Sequence, residues 1–349
     1  MMIILNDLHL GVKRSSGTTL ESQAALKDYL YLSFEAFIQN NVDDLTINGD
    51  LFDGFTVDPS DVLRTYMLLF TWLKQHGRRL VLVSGNHDFN PRADKLSSFH
   101  MLANLLVHVF EDQVQVVDTR HGLTQIAPRV WAIPSMPNQD LFDMELDKAE
   151  KVDAEYLLLH CNVASSFAEH SDHSLNISWE RMQRMVPALI FGHEHQGRKI
   201  GKHTVVGNQW PSSISDCLAH GDAQRDGLKW ALHLSEDLKV SGINTWDALG
   251  SYIEVDWRSA DTAPDVDFIR VTGNATAEEA ADVVSAIAAL RSRAKAFVVG
   301  NAVKVSGVEG MDELAEVSFD QIKSFDVLNA LLELLDPKEQ EVVKGLANA

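Results

Sequence analysis

Five short apolar runs, MMIIL, DLTIN, LVLVS, EYLLL and ALIF, lie in the first 195 residues, and each is followed at once by a polar cluster. Apolar runs of this length, without the alternation of a half-exposed strand, predict strands buried on both faces. Strand-like runs recur at Leu45, Leu80, Val114, Val130, Tyr156, Leu189, Val205 and Leu228, four of them within the runs just named. Helical patterns cover Thr19 to Ile38 and Pro59 to Gln75. This strand and helix alternation predicts an α/β fold: a parallel or mixed sheet flanked by helices, with a second, more antiparallel sheet packed on it. The second helix is apolar around most of its circumference, through Leu63, Tyr66, Met67, Leu69, Phe70, Trp72 and Leu73. A helix of that kind is either deeply buried or meets a second partner, such as another copy of the chain.

A polar stretch with Pro264, Arg258 to Asp267, reads as a linker. Beyond it a strand, a helix and a strand predict a small βαβ unit. Its helix is opened by a Thr276/Glu279 capping box and carries an apolar stripe of Val283, Val284, Ile287 and Leu290. From Ser318 onward the pattern is one or two amphipathic helices broken near Pro337, with Phe319, Ile322, Phe325, Leu328, Leu331, Leu332 and Leu335 apolar. That face either packs on its own domain or docks on a partner chain. Three segments follow: a core over 1–257, a βαβ unit over 258–317 and a helical tail over 318–349.

The length of 349 residues and 45% hydrophobic content suffice for a sizeable core and a second domain. Two cysteines, Cys161 and Cys217, argue against a disulfide framework. No apolar run is long enough to span a membrane, and the N-terminus lacks the pattern of a signal peptide. The expectation is a soluble, cytoplasmic protein. A formal charge of -20 disfavours a simple basic nucleic-acid binder. Bound divalent ions would reverse that argument locally, because they dominate the field around them.

The polar clusters supply such ions with ligands: Asp7 and His9 in LNDLHLG, Asp50 in NGDLFDG, Asn86, His87 and Asp88 in SGNHDFN, His160 in LLLHCN, and His193 and His195 in FGHEHQG. Loops at the carboxyl ends of parallel strands converge in space, so five distant clusters can build one site. Carboxylate, imidazole and amide oxygen suit manganese, iron, zinc or magnesium, and the imidazole content favours manganese over magnesium. One carboxylate, Asp50, can bridge two ions about 3.5–4 Å apart, a pair suited to activating water and clamping a phosphoryl oxygen. His87 is placed to give a hydrogen bond or proton to the departing oxygen, with Asp88 orienting it and keeping it charged. Lys13 and Arg14, Arg92 and Lys95, and Arg198 and Lys199 follow three of the loops. They are either contacts for substrate phosphate or ordinary solvated charges.

This series resembles the calcineurin-like metallophosphoesterases. More narrowly, DLHLG with GDLFD and GNHD looks like the nuclease subunit of SbcCD-type DNA repair complexes, relatives of the meiotic-recombination-eleven nuclease. The resemblance implies a two-sheet metallophosphoesterase sandwich, a DNA capping domain in the βαβ unit and an ATPase-docking tail. It implies that Asp7, His9, Asp50 and His195 hold one ion, and Asp50, Asn86, His160 and His193 the other. It also implies manganese-dependent 3′-5′ double-strand exonuclease and single-strand endonuclease activity, and a homodimer bound to a coiled-coil ABC-type ATPase resembling SbcC. Two departures stand out. Asp53 replaces the His that some relatives carry at the end of the second motif, and GNQWPSSISDC replaces the usual Gly-Ser-Pro-like turn.

Overall fold

The structure is a computed structural model that describes residues 1–13, 19–89, 96–164, 175–218 and 228–306. The predicted tail after Ser318, including Phe319, Ile322, Phe325, Leu328, Leu331 and Leu332, lies outside the described residues, as do Arg14 and Arg92.

Strands β1 (Met2–Leu5), β2 (Asp44–Asn48), β3 (Leu80–Val83) and β4 (Val114–Val117) pair in parallel in that order. Two late strands, β13 (Leu228–Leu234) and β14 (Val240–Asp247), extend this sheet antiparallel from β1. The second sheet runs β11 (Arg198–Ile200), β12 (His203–Val205), β10 (Ala188–Gly192), β7 (Tyr156–His160), β6 (Val130–Ile133), β5 (Thr124–Ala127). Its four central strands are parallel, and only β5 and β11 run antiparallel at the edges. The second sheet is therefore less antiparallel than the sequence pattern predicts. The reason is α4 (Gln139–Ala149) and α5 (Trp179–Arg184), the helices inside the connections from β6 to β7 and from β7 to β10.

The period of two along each buried strand sorts its side chains into two layers. Met2, Ile4, Val81 and Val83 face Val130, Ala132, Leu158 and Ile190 between the sheets. Ile3, Leu5, Ile47 and Leu82 face outward onto α1 (Leu20–Asn40), α2 (Pro59–His76) and α3 (Ser98–Val109). Leu157, Leu159 and Phe191 pack outward with Phe142 and Leu146 of α4. The helix boundaries follow local chemistry. Thr19 caps α1 by accepting from Ser22 N at 3.2 Å, and α2 begins on Pro59 and ends at Gly77 in the left-handed region.

α2 is not buried all round. Leu69, Trp72 and Leu73 are in the core, but Leu63 and Met67 are 60% and 50% exposed. Three of the four predicted stripe residues in α7 (Ala280–Arg293) are buried, and Val284 is 67% exposed. Val283, Ile287 and Leu290 follow i, i+4, i+7, while Val284 sits about 100° round the helix from Val283. The Thr276/Glu279 box forms on the turn just before α7 rather than as its cap: Thr276 N donates to Glu279 Oε2 at 2.9 Å, and Glu279 is itself the N-cap of α7, without a side-chain cap bond.

The small unit is a parallel sheet of β15 (Tyr252–Asp256), β16 (Phe268–Thr272) and β18 (Val298–Asn301), covered by α7, with β17 (Asn274–Thr276) pairing β19 (Lys304–Ser306). The Arg258–Asp267 stretch opens in a 3-10 turn, Trp257–Thr262. Phe268 and Phe297 seat the unit on the core against Tyr29 of α1, with ring centroids 6.4 and 5.0 Å away.

Candidate metal centre

All five candidate ligand clusters sit at the carboxyl ends of strands: the loops after β1, β2, β3 and β10, and the last residue of β7, His160. The first two loops run as one ladder. Asp7 N donates to Gly49 O, His9 N to Asp50 O and Leu10 N to Leu51 O, at 3.2, 3.0 and 2.9 Å. Asn48 Nδ2 ties the end of β2 to β7 by donating to Leu159 O at 3.2 Å. Seven non-glycine described residues have positive φ, and four of them are Asp7, His9, Asp50 and His193. Left-handed backbone costs a side-chain-bearing residue about 1–3 kcal/mol. Its concentration here means the fold tolerates strain to turn these side chains inward. Gly49 has no such latitude: at φ +89 a Cβ would lie 1.9 Å from His160 Nδ1.

The side chains converge in two groups joined by Asp50, and His87 forms a third with His9 and Asp50. In one, Asp7, His9 and His195 bring ligand atoms within 4.8 Å of one another, and His9 Nε2 stands 2.9 Å from His195 Nε2. In the other, Asp50, His160 and His193 do the same, and Asn86 Oδ1 lies 3.0 Å from His160 Nε2 and 2.9 Å from His193 Nδ1. Asp50 Oδ2 lies 3.2 Å from His160 Nε2 and 3.9 Å from His9 Nε2, so one oxygen faces both groups. The other, Oδ1, accepts from His87 N at 2.9 Å.

The outer nitrogens of three imidazoles are held by fixed acceptors. His160 Nδ1 donates to Asn48 O at 3.1 Å, His87 Nδ1 to Asp53 O at 2.7 Å, and His195 Nδ1 to Asp216 Oδ1 at 2.8 Å. Each bond turns Nε2 toward the centre. Oxygen and imidazole donors, converging and oriented from behind, fit a pair of divalent ions.

The charges fit as well. Burial drives the Asp7 carboxyl up to about 6 and the His9 imidazole down to about 3. Burial also opposes charge on Asp50 and His160, but their mutual attraction outweighs it. It holds Asp50 well below the usual carboxylate range and lifts His160 to about 9. A divalent ion held by His160 would therefore displace a proton from it at neutral pH. Affinity of the metal-free protein, read with manganese, is expected to climb from pH 6 to 9 with proton release, as Asp7 and then His160 lose their protons. Calorimetry in buffers of different ionisation heat measures the released protons; affinity flat across that window would contradict this ligand assignment.

Asp88 has a different place from the one predicted. Its carboxylate accepts from Leu51 N, Phe52 N and Gly85 N at 3.3, 3.2 and 3.0 Å, while His87 is oriented by the Asp53 carbonyl. A fully buried carboxylate seeks backbone amides, and here it pins the second ligand loop to the third. Of the predicted phosphate contacts, Lys13 lies 3.6 Å from Asp58 and Arg198 pairs with Glu194 at 2.5 Å.

Three contributors carried no role in the sequence reading: Asn48, Asp216 and the buried Lys229. The Ser213/Asp216 pair has the S-x-x-D form of a capping box, and that box forms at α6 (Ile214–Cys217). It was the one local signal available for Asp216.

Among the described residues, no helix is long and apolar enough to cross a membrane. A family model described as calcineurin-like phosphoesterase matches residues 2–197, more than half of the chain and all seven converging ligands. Comparison with curated proteins gives no match. Among solved structures, a protein of unknown function from Aquifex aeolicus is similar at 16% identity, over 51% of this chain and 88% of that one, with a TM-score of 0.25. On the family match the chain belongs to the calcineurin-like phosphoesterases, which implies metal-dependent hydrolysis of a phosphoester at this centre.

Proposed function

We propose that the chain is the nuclease subunit of an SbcCD-like DNA repair or recombination complex. In this reading it is a manganese-dependent DNA phosphodiesterase, with 3′-5′ double-strand exonuclease and single-strand endonuclease activity. Two divalent ions bound at the centre would supply Lewis acidity toward the phosphodiester and acidify water. The chain's own residues do the rest. His87, whose side chain is 25% exposed, presents Nε2 from the rim, 4.0 Å from Asp50 Oδ2. From there it gives a hydrogen bond or proton to the departing oxygen. The Asp53 carbonyl holds the ring in that orientation.

The observation that carries the DNA reading is the separate parallel unit of β15, β16 and β18, seated on the core through Phe268 and Phe297. A phosphoesterase acting on nucleotides or phosphoproteins has no need of it. The motifs DLHLG, GDLFD and GNHD support the same reading. The homodimer belongs to the proposal too. Leu63 and Met67 of α2, and Met101 and Leu105 of α3, are exposed apolar residues spaced i, i+4 on helices that a second copy can cover. The tail from Ser318 would dock the ATPase.

The test is a rate comparison in manganese. Hydrolysis of linear duplex DNA is expected to exceed that of p-nitrophenyl phosphate, a monoester, by at least about tenfold in kcat/KM, a difference of about 1.4 kcal/mol in transition-state binding. A protein faster on the monoester would refute the nuclease reading and leave the family assignment intact. Sedimentation of the same sample gives the mass, and a monomer at micromolar concentration would remove the dimer from the proposal.

A further inference from the structure

His195 is held by parts of the chain that carry no candidate ligand. Its ring Nδ1 donates to Asp216 Oδ1 at 2.8 Å, and Asp216 is 4% exposed. The other oxygen of Asp216 accepts from Ser212 N, Ser213 N and Ser212 Oγ at 2.8, 2.9 and 3.0 Å. The carboxylate is thus fixed on the far side by three donors and has one oxygen left for the imidazole. The backbone of His195 is gripped as well. Its carbonyl accepts from Lys229 Nζ at 3.2 Å and from Asn208 N at 3.3 Å, and Lys229 Nζ also donates to Asn208 Oδ1. Gly207, at φ +82, passes so close that a Cβ there would lie 2.7 Å from the His195 carbonyl oxygen.

These contacts come from Gly207 to Asp216 and from β13, within and just beyond the stretch that departs from the usual Gly-Ser-Pro-like turn. The holder is itself held. α6 has four residues, too few to persist alone. Ile214 lies tight against Gly300 of β18 in the small unit, where a Cβ would come within 2.8 Å of Ile214 Cγ1.

We propose that Asp216 is the positioning residue for one ion of the metal pair, acting through His195. By accepting the Nδ1 hydrogen of His195 it fixes the tautomer and ring angle that aim Nε2 into the group of Asp7, His9 and His195. The inference rests on the two-metal reading of the centre. Its mechanism is the carboxylate–histidine–metal relay, in which the outer acceptor sets the ring and raises the basicity of the ligating nitrogen. Asp216 touches no reacting atom, so its removal should act on one ion and leave the other.

The experiment titrates metal-free protein with manganese by calorimetry. The parent is expected to bind two ions. Asp216→Ala should bind one as the parent does and the other about 10–100-fold more weakly. Ser213→Ala separates this role from the capping of α6, because it removes the cap hydroxyl and keeps Asp216; its two affinities should stay within about twofold of the parent. In a His195→Ala background, adding Asp216→Ala should change manganese affinity no further, since the residue acts through His195. A second kind of readout needs no variant. The 15N shifts of the His195 ring in metal-free parent at alkaline pH should report hydrogen on Nδ1.

Hydrogen on Nε2, parent-like affinities in Asp216→Ala, or an equal loss in Ser213→Ala would each overturn the proposal. A parent that binds fewer than two ions would instead remove the two-metal reading beneath it.

Discussion

An Asp50→Asn protein is expected to lose about a thousandfold or more in phosphoester hydrolysis, equivalent to about 4 kcal/mol of transition-state stabilisation. The size follows from how the two oxygens are used. Oδ1 is committed to the amide of His87 at 2.9 Å, so in the variant the side-chain amide oxygen must stay there. The alternative rotamer would set an NH2 group against an N–H donor. The new side-chain nitrogen is then forced into the position of Oδ2, between His160 and His9. A donor replaces the acceptor shared by both ligand groups, and a charge is lost with it. Manganese stoichiometry and turnover, measured on the same preparation, check the outcome. Two tightly bound ions with a rate within tenfold of the parent would show that Asp50 does not bridge.

His87→Ala should lower turnover by about 10²–10⁴-fold, the usual span for a lost general acid, with both ions still bound. His87 stands beside His9 and Asp50, close enough to share an ion with them, but its outer nitrogen is spent on the Asp53 carbonyl. Its work would be protonation of the leaving oxygen. The loss should therefore shrink on an activated aryl ester, whose leaving group departs without a proton. Equal losses on DNA and on the aryl ester would argue against proton donation. A loss of bound manganese would make His87 a ligand instead.

The ligand series was legible because each cluster ends an apolar run, and sheet geometry then does the gathering. What was hidden lies in partners remote along the chain. Asp88 stands next to His87 in sequence, yet its bonds to Leu51 and Phe52 reach back across 37 and 36 positions. Proximity in sequence suggested the wrong partner. Asp216 and Lys229 reach His195 from 21 and 34 residues away, and the S-x-x-D pattern at Asp216 marks a helix cap, not a residue that holds a ligand from behind. The parallel centre of the second sheet was missed for a simpler reason. Phe142, Leu146 and Ala149 of α4 carry a helical i, i+4, i+7 stripe that is diluted by five acidic or basic neighbours. The small unit was legible in outline, but β15 pairs with β16 and joins its sheet from before the polar linker.

The backbone ladder between the first two ligand loops carries an evolutionary consequence. The segment of Asp7 and His9 is stitched to that of Asp50 by main-chain bonds, Asp7 to Gly49 and His9 to Asp50, that few side-chain substitutions other than proline can cut. Outside constrained positions such as Gly49, point changes leave that ladder in place, whereas gaining or dropping a single residue in either segment would misalign three candidate ligands at once. Descendants of this chain should therefore vary in letters there long before they vary in length.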